Sequence, residues 1–348
     1  MKKMRIGLID VDGHNYPNLP LMKLSAYHKA KGDSVEWYQP MFSGHMDIVY
    51  MSKVFSFTPD YEYFIDADKI VKGGTGYAIS LVNGKEVYDK SKDVPLSDEI
   101  EHIYPDYSIY PECEATAYGF LTRGCPRGCS FCHVVPKEGQ CSHKVANLSE
   151  FWNGQKHIVL CDPNILACPD WKDLLQQLID SKARVDFNQG LDIRMMTAEK
   201  ADMLSQIKIE SIRFAWDRYE DKELVQPRFL EFRKSSKIHP PNLQVYVLCG
   251  DHEREVLEQD LYRIGWLRDN GYAPYVMLYD KEHLPKGHEL RKLQRWVNNR
   301  FIFWSCATFD EYKANKASYG YANHTTSLCK DDGQINMFDN KKQGDLGA

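Results

Sequence analysis

The sequence predicts an α/β fold in four parts. A doubly wound βα layer spans residues 1–112, six further βα units span 113–288, a helical and aromatic extension spans 289–329, and a polar, disordered tail spans 330–348. Three observations predict it. Short apolar runs alternate with longer amphipathic segments, the pattern of parallel strands joined by crossover helices. The longer segments repeat apolar residues near the 3.6-residue helical period, as Val256, Leu257, Leu261, Ile264 and Leu267 do within 253–270. A chain of 348 residues with 43% hydrophobic content carries enough apolar side chains for two cores.

The elements follow in order. Ile6, Leu8 and Ile9 open a buried strand over 5–10, and their run is too short for a signal peptide despite the basic flank before it. A helix over 21–31 and strands over 34–38, 47–51 and 69–72 complete a Rossmann-like layer. The next strands are expected over 118–122, 157–161, 184–188, 211–216, 243–249 and 273–279. Helices are expected between them over 171–181, 197–206, 222–235 and 253–270, whereas the first connection, 124–156, is irregular. Six such units make a partial (β/α)6 TIM barrel, in which chemistry gathers at the C-terminal ends of the strands. Beyond it, Leu290, Leu293, Trp296, Val297 and Phe301 predict one helix over 289–303. Trp304, Phe309, Tyr312, Tyr319 and Tyr321 then read as packing aromatics, since no basic face accompanies them. In the tail only the short apolar run 335–338 offers a docking segment.

Composition excludes several classes. A net charge of −5 gives no global basic footprint for duplex nucleic acid. No apolar run approaches the ~20 residues of a membrane span. Ten cysteines without a repeating framework suit free thiols in a reducing cytoplasm.

The motif that carries chemistry is Arg123-Gly124-Cys125-Pro126-Arg127-Gly128-Cys129-Ser130-Phe131-Cys132-His133. Its C-x3-C-x2-C spacing lets three thiolates converge from one loop and leaves a fourth metal position without a ligand from that loop. Iron–sulfur clusters are held by cysteines at such short spacings, most electron-transfer clusters by four. A missing fourth ligand suits an iron kept open for a cofactor or substrate. The competing reading is a structural zinc site completed from His133, Cys141 and His143, which makes the chain a non-catalytic α/β binding protein.

The loop resembles the C-x3-C-x-aromatic-C signature of the radical S-adenosylmethionine (SAM) superfamily, with Phe131 in the aromatic position. The resemblance implies a [4Fe–4S] cluster on Cys125, Cys129 and Cys132 whose open iron binds SAM. It also implies reductive SAM cleavage, hydrogen abstraction from a substrate, and a one-electron reductant such as flavodoxin or ferredoxin. The same resemblance places Phe131, Asp162, Asn164, Gln189, Arg194, Asp217 and Gly250 around SAM, at the loop and the following strand ends. The plain alternative for each polar strand end is a turn or helix cap. No cysteine precedes Cys113, and Cys249, Cys306 and Cys329 are too few and scattered for an auxiliary cluster, so one cluster is expected.

Residues 1–112 are similar to a degenerate cobalamin (B12)-binding domain. Asp12-Gly13-His14-Asn15-Tyr16-Pro17 echoes that family's D-x-H-x-x-G with Pro at the last position, Ser52-Lys53-Val54 its S-x-L, and Gly73-Gly74 its G-G. The similarity implies His14 as an axial cobalt ligand supported by Asp12, and a cobalamin-dependent methyltransferase as the alternative activity. The residues themselves equally spell a polar turn. The substrate stays open among small molecules, peptides and RNA bases.

Overall fold

The computed structural model describes residues 3–13, 16–82, 85–250, 257–279 and 281–318. His14, residues 251–256 (among them Asp251 and Val256), Tyr319, Tyr321, Cys329 and the tail 330–348 with its apolar run therefore lie outside the described residues. The chain divides into two compact units, Met1–Asp186 and Phe187–Ala348.

In the first unit, β1 (Arg5–Asp10), α1 (Leu19–Ala30), β2 (Ser34–Trp37), β3 (Met46–Ser52) and β4 (Ala67–Gly73) build a four-stranded sheet in the order β2-β1-β3-β4. All its pairings are parallel. β1 is central, so both its faces need cover, and four consecutive residues of it are buried. Ile6 and Leu8 pack with Leu21 and Leu24 of α1, while Ile9 joins Tyr38, Met46, Val49 and Met51 on the other face. Asn18 starts α1 by accepting from the Leu21 amide, with Pro20 in the first turn. The sheet grows in opposite directions from β1 and β3, a switch point at whose strand ends α/β sheets form a crevice.

The unit continues with α2 (Thr75–Ala78), the antiparallel hairpin of β5 (Ile79–Val82) and β6 (Lys85–Tyr88), and α3 (Asp98–Glu101). Then come β7 (Thr116–Gly119), β8 (Thr122–Arg123), α4 (Val134–Glu138), β9 (His143–Lys144), β10 (His157–Leu160) and α5 (Trp171–Ser181). β11 (Arg184–Leu191) contains the division between the units. The second unit adds α6 (Ala198–Gln206), β12 (Lys208–Ala215), α7 (Lys222–Ser235), β13 (Leu243–Cys249), α8 (Leu257–Asp269) and β14 (Ala273–Leu278). The last elements are α9 (Glu289–Asn298), α10 (Arg300–Ser305) and α11 (Phe309–Ser318).

Six strands form one sheet in the order β14-β13-β12-β11-β10-β7, so each βα unit lays its strand beside the preceding one. The fold is thus mixed α/β with parallel sheets. Helices 171–181 and 222–235 and strand 243–249 fall where the sequence predicts them.

Two expectations need correction. The strand expected over 118–122 ends at Gly119, and Thr122–Arg123 pairs instead with His143–Lys144. The cause is Asp162, whose carboxylate draws in the Leu121 and Thr122 amides and turns the chain. The single helix expected over 289–303 is two. Asn299 is extended at φ −87°, ψ 102° and accepts from the Ile302 amide, so it ends α9 and caps α10. Phe301 consequently points outward at 89% exposure, while Phe303 is buried against Trp296. Among the described residues no helix is long and apolar enough to cross a membrane.

Candidate functional site: the cysteine loop

The cysteine loop is secured at its root, its two ends and one flank. At the root, buried Asp162 accepts from Leu121 N at 3.1 Å, Thr122 N at 2.5 Å and Thr122 Oγ1 at 2.7 Å. Burial pushes this carboxyl up to about 6, against the pull of those donors. At the ends, Glu138 of α4 accepts from Arg123 Nη1 at 2.7 Å and Gly124 N at 3.0 Å, and Cys125 N donates to Gly139 O at 3.2 Å. The Arg123 guanidinium lies 3.5 Å over the Phe120 ring. Gly124 has φ +80°, and a Cβ there would meet the Cys141 carbonyl at 2.2 Å, so the loop requires glycine at this point. On the flank, His133 Nε2 lies 3.2 Å from Glu86 Oε2 on β6, and Lys137 donates to Thr75 Oγ1.

Within this frame Cys125, Cys129 and Cys132 are partly exposed, and a turn joins the last two through the Cys132 amide and Cys129 carbonyl. Asn164 Nδ2 lies 3.7 Å from Cys125 Sγ, and Val134 N donates to Cys132 Sγ at 3.5 Å. Phe131 is 40% exposed beside them. Among the described residues no three His, Cys, Asp or Glu side chains are drawn into a metal-ligating group. The donor set nonetheless fits an iron–sulfur cluster: three thiols share one secured loop, and two of their sulfurs, on Cys125 and Cys132, receive amide hydrogen bonds. The zinc alternative gains nothing here, because His133 is turned to Glu86 and His143 Nδ1 sits 3.1 Å from the Cys141 carbonyl.

The predicted SAM residues fall in both units. Asp162 and Asn164 share the end of β10 with the cysteine loop. In the second unit, Gln189 is exposed, and Arg194 is engaged by Asp192 at 2.7 Å and Asp221 at 2.8 Å. Asp217 is half-buried; burial raises its carboxyl to about 6 while Arg263 and Arg194 pull it down. Gly250 has φ +85°, but the space beside it is filled by Leu290 Cδ1, 2.8 Å from an ideal Cβ. That glycine serves the packing of α9.

Asp12, Gly73 and Gly74 of the cobalamin-like set are engaged by protein. Asp12 accepts from Val54 N at 2.5 Å, Phe55 N at 3.3 Å and Thr58 Oγ1 at 2.7 Å. A Cβ on Gly74 would meet Lys53 O at 2.3 Å, Gly73 O accepts from Lys53 N at 3.0 Å, and Ser52 is buried. Asp12, Lys53 and Gly74 thus close on one another, while Ser52 Oγ is buried without a hydrogen-bond partner and the candidate ligand His14 lies outside the described residues.

No protein-family model matches the chain, and no curated protein matches it. The site therefore rests on its own residues. Sequence reasoning passed over two of them. Tyr16 OH lies 3.6 Å from Cys161 Sγ, with burial pushing that thiol up to about 11, and Glu138 anchors the loop. A cysteine directly before Asp162 and a glutamate closing a short helix carry no local signal of these roles.

Proposed function

We propose that the chain is a radical SAM enzyme, with Cys125, Cys129 and Cys132 holding a [4Fe–4S] cluster. The observation that carries this reading is the three-thiol loop, secured by Asp162 and Glu138 and in contact with Asn164. On this reading the six βα units are a partial (β/α)6 barrel and the N-terminal sheet is a Rossmann-like cover that has lost any cobalamin role. When bound, the cluster supplies the electron from an external one-electron donor that cleaves the sulfonium of SAM and starts hydrogen abstraction from a substrate. The chain's own residues do the rest. The three thiols act as thiolates, so loading depends on pH. Asp162 holds the turn that presents them, and Phe131 offers an apolar face beside the site.

Anaerobic reconstitution tests the reading. The wild type should take up about four irons and release 5′-deoxyadenosine from SAM in the presence of dithionite. Cys129→Ala should lose both. Colourless protein with one zinc per chain, or turnover that survives Cys129→Ala, would overturn it.

A further inference from the structure

We propose that Asn164 is a positioning residue for Cys125: its side-chain N–H bonds the sulfur and tunes the charge on one of the three ligating thiolates. The inference rests on the cluster reading above and moves Asn164 from the SAM contact that the family resemblance implies to the metal side of the site.

Asn164 is 1% exposed, four residues past the end of β10, with Nδ2 3.7 Å from Cys125 Sγ. Its backbone is fixed, because its carbonyl accepts from buried Ser142 Oγ at 3.0 Å. Two residues earlier Asp162 grips the root of the same loop, so donor and acceptor hang from one strand end. The other end of the amide, Oδ1, is buried and has no partner. Leaving a buried carbonyl unpaired is costly, so the amide is placed for what its nitrogen does.

The chemistry of sulfur explains the orientation. A protonated thiol has a weak S–H donor and suits either end of an amide. A thiolate accepts only, so it must face the N–H, and metals bind the thiolate. Hydrogen bonds to ligating sulfurs stabilise the more negative, reduced state of a cluster and raise its potential.

The test compares reconstituted wild type with Asn164→Ala and Asn164→Asp. Iron content is measured, together with the midpoint potential followed through the paramagnetic signal of the reduced cluster. With similar iron content, the potential should shift to more negative values in Asn164→Ala, and further in Asn164→Asp, which keeps the shape and replaces the donor by a carboxylate. Asn164→Ser, which retains a donor, should recover part of the shift. Should Asn164→Ala fail to fold, the near-isosteric Asn164→Asp decides, with circular dichroism as the check on folding. Unchanged potentials in variants that carry the cluster would overturn the inference and leave the cluster reading standing. A wild type that takes up no iron would overturn both.

Discussion

Asp162 shows how one side chain decides the geometry of a site. At 3% exposure it accepts from two consecutive amides and a hydroxyl, all within the turn that feeds the cysteine loop. Replacing it by Ala leaves the Leu121 and Thr122 donors buried without an acceptor. Asp162→Ala should therefore destabilise the protein by about 3–5 kcal/mol, since several buried donors each lose their partner. Urea unfolding provides the measurement, and a loss under 1 kcal/mol would show that water replaces the carboxylate. Asp162 was legible in the sequence as a polar residue after a strand. Its target was not, because Leu121 and Thr122 lie forty residues earlier and meet it only through the pairing of β7 with β10.

At the scale of elements, the break between α9 and α10 follows from competition for backbone groups. Asn298 bonds both Val276 N at 2.8 Å and Val276 O at 3.0 Å, and Gln294 Nε2 reaches the same carbonyl at 3.2 Å. These amides cap the outer edge of β14, an edge strand that would otherwise expose unpaired groups. With Asn298 committed and Asn299 turned to cap the next helix, the apolar period slips, placing Phe303 inside and Phe301 outside. Phe303→Ala should cost about 3–5 kcal/mol, the usual loss for a buried aromatic, while Phe301→Ala should stay within about 0.5 kcal/mol. Thermal melts of the two variants check this, and equal losses would restore a continuous helix. Periodicity alone predicted Phe301 as buried, because it extends a helical stripe without sensing a cap.

At the scale of the whole molecule, the parallel sheets bury charged groups at strand ends, and stability should respond to pH. Asp10 ends β1 and accepts from Tyr110 OH at 2.7 Å; burial, aided by Asp12, raises its carboxyl from the ordinary 3.8 to about 7. A folded value above the unfolded one means the folded state keeps its proton longer. The stabilisation is complete below pH ~4 and is lost as pH rises through about 7. Asp162 and Asp217, both raised to about 6, contribute with the same sign. Asp10→Asn should flatten the decline in urea midpoint between pH 4.5 and about 7 without abolishing it. An unchanged slope would mean that Asp10 is ionised in the fold at those pH values.

The sequence by itself determined most of the elements and the spacing of the loop. Alternating apolar runs placed β1, β13, α5 and α7 because secondary structure follows local periodicity, and the C-x3-C-x2-C spacing marked the thiols because their proximity is built into eight consecutive residues. Only the tertiary structure decided which polar residues meet that loop. Asp162 and Asn164 reach it because β10 lies beside β7, Gly74 is covered by the Lys53 backbone, and Leu290 occupies the space beside Gly250. Those contacts join residues far apart in the chain, and no local pattern records which strand will lie next to which.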